Sequence, residues 1–243
     1  MKPRFAIAAM AACLAVVASS MASAAESLVD KLGEQPVTVP IPAGFGQAEG
    51  VAGAVRDVIA RAIPPNYRVI SMQVSQNYLD KLRAHEAPGS MSRYVVVLTY
   101  RDYETSGMTQ EVFDGIKRVA RDQSQKMLKL AEAQSVAVVD KMNEDLAQMT
   151  GDPTATVKLG ATTSLGVFEE RPNALALATI GPVSGSSKKL DVTHDQVWVT
   201  ALVLIHGKPI NANFYSDYDS KDDLDWTENQ AREWIRRVNE LNP

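Results

Sequence analysis

The densest group of reactive side chains in this 243-residue chain is acidic: Asp217, Asp219, Asp223, Asp225 and Glu228 fall within twelve residues. Counted as a calcium loop from Asp217, they take positions one, three, seven, nine and twelve, with Leu224 at the apolar eighth. Ca²⁺ is held by oxygen clusters of this kind. Two residues oppose that reading. Lys221 brings a positive charge to position five, and Asp222 stands at position six, where the sharp turn requires glycine. The segment reads more simply as a helix start. Ser220 followed three residues later by Asp223 forms a capping box, and carboxylates in a first turn complement the helix dipole. The expectation is a capped helix and no cofactor, with a Ca²⁺ site as the competing reading.

A second group lies just upstream. Asn211, Asn213, Tyr215 and Asp217 alternate with Ile210, Ala212, Phe214 and Ser216, so a strand here puts the polar set on one face. Arg93, Thr99 and Arg101 share one side of an earlier β-like run. If those sides coincide, amides, a phenol, a carboxylate and two guanidinium groups meet on one sheet face. Such a face suits a small polar ligand or a protein partner. The competing expectation is an ordinary solvated side of an antiparallel sheet.

Catalytic patterns are sparse. The chain has three histidines, His85, His194 and His206, and its sequence contains no Gly-x-Ser-x-Gly, His-Glu-x-x-His, Walker or Gly-x-Gly-x-x-Gly signature. A binding or accessory role without catalysis is therefore the leading expectation. The alternative is a hydrolase-like site around His194, His206 and Asp217, since the members of a triad need not be neighbours in sequence. Trp198, Trp226 and Trp234 are expected as core anchors.

The elements that must position these groups follow from periodicity and punctuation. Val37-Thr38-Val39-Pro40-Ile41-Pro42 reads as an edge strand, since proline is tolerated at edges. Apolar residues from Ala48 to Ala62 recur at helical spacing, and Pro64-Pro65 ends that helix. A strand at 67–74, a helix capped by Ser75, and a β-branched strand at 93–100 follow. Residues 109–149 carry the longest helical stripe, about 60 Å if unbroken. That exceeds the width of a small domain, so a break is expected near 134–136. If this helix projects, its Met-rich stripe offers a homodimer contact. Strands at 156–161, 164–169, 174–180, 196–205 and 209–218 then precede an amphipathic C-terminal helix. The fold class expected is α+β: a mainly antiparallel sheet with packed helices, one of them long and central.

This arrangement resembles small α+β domains of the PsbP/Mog1 type and certain exported proteobacterial proteins. The resemblance rests on Pro40-Ile41-Pro42-Ala43-Gly44-Phe45, the 211–218 strand, and Asp223-Leu224-Asp225-Trp226 at the last helix. The long central helix departs from that pattern, and no functional residue is carried over.

The N-terminus reads as an export leader over 1–24, followed by a single domain over 25–243. Lys2 and Arg4 precede an apolar run, and Ala22-Ser23-Ala24 supplies small residues for cleavage. The run is too short for a stable membrane span. A periplasmic or secreted protein is expected, with a lipoprotein anchored at Cys13 as the minor alternative. Cleavage would remove the chain's one cysteine, so no disulfide is expected. It would also remove two of the 25 basic residues and leave the 29 acidic ones in excess, which disfavours nucleic acid as a partner.

Overall fold

A computed structural model describes residues 26–48, 60, 63–87, 91–188 and 190–243. The leader with Cys13, and nearly all of the helix expected at 48–62, lie outside the described residues. Among the described residues there are ten strands and four helices. Strands β1 (Ser27–Leu32) and β2 (Gln35–Pro40) form a separate antiparallel hairpin; β1 was not foreseen from the sequence. The main sheet contains β3 (Phe45–Gln47), β4 (Tyr67–Ser75), β5 (Arg93–Tyr100), β6 (Thr156–Leu159), β7 (Thr163–Arg171), β8 (Ala174–Ser187), β9 (Leu190–Ile205) and β10 (Lys208–Asp217). Its order is β3-β4-β5-β10-β9-β8-β6, with β7 continuing along the outer edge of β8, and every pairing is antiparallel. The helices are α1 (Gln76–Arg83), α2 (Arg101–Ser106), α3 (Gln110–Thr150) and α4 (Lys221–Leu241). The fold is α+β, as composition and periodicity imply.

Local chemistry sets the connections. His206 and Gly207 both take positive φ, 50° and 77°, the pairing that a two-residue β9–β10 turn demands if the flanking strands are to keep their twist. Between β6 and β7, Gly160 crosses so near β8 that a Cβ would lie 2.4 Å from Pro182 Cγ. A side chain there would force the edge apart.

One sheet face packs against α4. Val95, Val97, Val199, Ala212 and Phe214 project from it and are fully or almost fully buried. Ala231, Trp234, Ile235 and Val238, at helical three-and-four spacing, close over them, and Leu32, Val37 and Val39 of the hairpin complete the core. Trp234 Nε1 donates to the Pro40 carbonyl at 3.1 Å, and the Asn242 amide brackets the backbone N–H and C=O of Thr38 at 2.8 Å each. These bonds fix the helix end to the hairpin and leave its polar groups satisfied.

The opposite face lies under α1 and α3. Thr109 caps α3 by accepting from Val112 N, and Gly151 (φ 65°) closes it in the left-handed conformation. The break does not fall at 134–136: the one non-helical residue is Gln123 (φ −136°, ψ 25°). Its place is dictated by anchors on either side. Lys117 Nζ donates to the carbonyls of Arg171 and Pro172, while the Gln125 amide donates to Thr162 O and accepts from Ser164 N. Eighteen residues later, five full turns at 3.6 residues per turn, Asn143 repeats the device on both backbone groups of Val157. The helix therefore lies along the β6–β7 edge instead of standing away from the domain. Val112 and Val119, two turns apart, remain 45% and 42% exposed on its outer side.

Candidate ligand-binding cavity

The register of β10 decides what its polar residues meet. Residues directly opposite in an antiparallel pair share a face, and Asn213 lies opposite Val96 on β5 and Thr200 on β9. Tyr215 lies opposite Tyr94 and Trp198, and Asp217 opposite Gln196. Asn211, Asn213, Tyr215 and Asp217 do share one face, the one beneath α3. The arginines do not join them. Arg93 pairs with Ser216 and so points to the α4 side. There its guanidinium donates to Asp223 Oδ1 at 2.9 Å and lies 4.1 Å from the Trp226 ring centroid. Arg101 falls beyond β5, opening α2, and donates to the carbonyls of Pro65 and Tyr67. The single face combining amides with guanidinium groups is not formed, because the register puts Arg93 on the opposite side and Arg101 lies past the end of the strand.

The acidic segment also disperses. Asp223 completes the capping box with Ser220, Asp225 pairs with Lys221, and Glu228 pairs with Arg232. Asp217 belongs to β10, and Asp219 contributes its N–H to Asp223. Among the described residues no three His, Cys, Asp or Glu side chains converge in an arrangement that could hold a metal ion. Helix initiation accounts for Asp223, and ion pairs within α4 for Asp225 and Glu228.

The shared face carries a cavity of about 520 Å³ between the sheet and α3, a size that accommodates a small-molecule ligand. An aromatic row crosses its floor: Trp198, Tyr215 and Tyr94 on adjacent strands, the two tyrosine rings stacked with centroids 4.4 Å apart. Val139 and Met142 of α3, Val157 and Leu159 of β6, and Val183 of β8 supply apolar walls. An adjoining hollow of about 610 Å³ shares Val139, Val157, Leu159 and Trp198 and continues beneath α3 toward Leu128.

Polar groups gather at one end. His194 Nε2 lies 3.0 Å from Asp217 Oδ1, and Gln196 hydrogen-bonds both Asp217 and Tyr94. Partial burial raises the Asp217 carboxyl above its ordinary range, and the repulsion of Asp219 adds to the effect; His194 and Gln196 oppose it without cancelling it. Burial also raises both tyrosines, that of Tyr215 to about 12, so both remain neutral hydrogen-bonding phenols near pH 7. Deeper along β10, Asn213 accepts from Thr200 Oγ1 at 2.8 Å. Asn211, further under α3, keeps its carboxamide oxygen buried without a partner.

His194 and Asp217 thus come together, but His206 does not reach them. It sits at the far end of β9, its Nδ1 3.1 Å from Gln35 Nε2 and its Nε2 3.0 Å from the Pro243 carbonyl. Trp234 is the core anchor expected, Trp226 stacks on Phe45, and Trp198 serves the cavity instead. The sequence held a signal for this. The alternation that separates Asn213 from Phe214 also separates His194, Gln196, Trp198 and Thr200 from Val197 and Val199.

The α+β class is thus defined by the sheet and its four described helices. Among solved structures, the chain is similar to the Saccharomyces cerevisiae Ran-binding protein Mog1p, at 12% identity and a TM-score of 0.30, over 90% of this chain and 93% of that one. It is also similar to a point mutant of Mog1, at 13% identity and a TM-score of 0.29, over 89% and 93% of the two chains. A likeness at this level carries no argument about ligand or partner. No protein-family profile and no curated protein matches the chain.

Proposed function

We propose that this protein is an exported, non-enzymatic envelope factor that holds a small, mainly apolar ligand between α3 and the sheet. One observation carries the reading: a cavity of about 520 Å³ whose floor is aromatic, whose walls are aliphatic, and whose polar groups collect at one end. That distribution matches small-molecule sites, where apolar surface supplies affinity and a few polar groups fix orientation. The leader-like residues 1–24 support export to the periplasm or beyond. Among the described residues no helix is long and apolar enough to cross a membrane.

The test is native mass spectrometry of the protein purified gently from the envelope of its own cells. The reading predicts a chain trimmed after Ala24 that carries the mass of one small molecule, released on denaturation. A bare chain of full length would contradict both parts.

A second reading draws support from the His194–Asp217 pair at 3.0 Å, since a histidine oriented by a carboxylate can act as a general base. Among the cavity's described lining residues there is no serine, cysteine or threonine, so a hydrolase here would have to activate water. Ester hydrolysis abolished by His194→Ala with the fold intact would establish that reading; activity unchanged in the variant would end it.

A further inference from the structure

The cavity's polar end is built around one carboxylate beside a row of aromatic rings, and that pairing specifies the class of ligand; the inference rests on the binding reading above. Among the described residues, its ionisable lining groups are His194, Asp217, Tyr94 and Tyr215, with no lysine or arginine among them. With the phenols neutral, the acidic group at the polar end is the Asp217 carboxyl, held beside His194 at 3.0 Å. Asp219 adds a negative field from outside, and the adjoining hollow contributes one charge of each sign, Asp140 and Lys158.

The Asp217 side chain is only 28% exposed, and its partners are an imidazole and an amide. A carboxylate partly withdrawn from water is costly, and a full cation placed beside it recovers part of that cost. The aromatic row reinforces the preference. Cations bind favourably over the faces of tryptophan and tyrosine, and Trp198 and Tyr215 flank Asp217 by one row of the sheet. An anionic head group would meet the carboxylate and the electron-rich ring faces, with no lysine or arginine among the described lining residues to offset them.

We propose that the cavity takes a small molecule with an apolar body and a cationic amine head, the head paired with Asp217 and the body laid over Trp198, Tyr215 and Tyr94 beneath Val139 and Met142. His194 is a positioning residue in this arrangement: its Nε2 lies 3.0 Å from Asp217 Oδ1 and holds the carboxylate at the cavity's polar end.

The test is displacement of a neutral fluorescent reporter, N-phenylnaphthylamine, from the folded protein at neutral pH. Three competitors share one alkyl chain, each kept below its aggregation concentration: dodecylammonium, dodecanol and dodecanoate. Dodecylammonium is expected to bind about tenfold tighter than dodecanol, within the range of a desolvated cation–π and ion-pair contact, and dodecanoate is expected to bind worst. In the Asp217→Asn variant, which keeps the side chain's shape, the advantage of dodecylammonium over dodecanol should vanish. Dodecanoate matching dodecylammonium in the wild type, or an ammonium advantage surviving Asp217→Asn, overturns the inference. Should that variant not fold, the order of the three competitors on the wild-type protein decides alone. Failure of all three, dodecanol included, would remove the cavity reading itself, whereas equal binding by all three would remove only the amine head.

Discussion

The two faces of the main sheet are built from the same strands and are put to different uses. Toward α4, the strands offer valine, alanine and phenylalanine, and the helix and the β1–β2 hairpin cover them almost completely. Toward α3, the same strands offer tryptophan, tyrosine, histidine, glutamine and asparagine, and the cover is partial. Fixing the fold needs dense apolar packing, which the α4 face supplies throughout and the α3 face supplies only beside the cavity, around Met72, Val74 and Leu79 and around Phe113, Leu202 and Leu204. The other face is then free to carry large aromatic rings with polar tips, a composition poor for a core and good for a small molecule. The separation predicts that mutations on the two sides will divide cleanly into loss of stability and loss of binding.

The largest effect should come from the closed side. Trp234→Ala removes a fully packed ring and its bond to Pro40, and is expected to cost about 3–5 kcal/mol in urea denaturation. A loss below about 1 kcal/mol would mean that this core is not the domain's main support. Trp198→Ala, on the other side, should cost about 1 kcal/mol or less, yet weaken dodecanol binding at least tenfold by calorimetry. Equal stability losses for the two tryptophans would erase the proposed division.

Ser220→Ala probes the closed side more gently. Loss of the capping box at the start of α4 is expected to cost about 1 kcal/mol, with ligand binding unaltered. The smallest effect concerns the end of α3. Asp152 accepts from Thr154 Oγ1, Thr154 N and Lys188 N, and these bonds lower its carboxyl to about 2 from an ordinary 3.8. A depressed carboxyl stabilises the folded chain above the unfolded value and loses that contribution as pH falls through the folded one. The stability gap between wild type and Asp152→Asn should therefore be constant above about pH 5 and close progressively as pH falls toward 2. A gap that widens in acid would contradict this assignment.

Residue patterns reveal much of the closed side and little of the open one, for physical reasons. Strands such as 93–100 and the hairpin around His206-Gly207 announce themselves through β-branched runs and turn chemistry. The Ser220–Asp223 box is a local motif and is visible without tertiary context. Register is not local. Whether Arg93 lies opposite Tyr215 on the cavity face or opposite Ser216 on the other depends on a one-residue offset between strands that lie about 120 residues apart in sequence. The bend at Gln123 is likewise set by where Lys117 and Gln125 find backbone partners, not by the helix's own stripe. His194 and Asp217 reach each other only because β9 and β10 pair as they do. Their cavity further needs Val139 and Met142 from a helix that precedes both strands by some fifty residues.

The central claim is that the face beneath α3 binds an apolar molecule, and methyl-resolved NMR of the protein labelled at methionine tests it most directly. Met91 and Met142 line the cavity, whereas Met108 is packed with Phe113 and Leu202 near the start of α3. On titration with dodecanol, the account predicts saturable shifts at Met91 and Met142 with Met108 unmoved. Resonances that stay fixed at all three, or drift together without saturating, would contradict it.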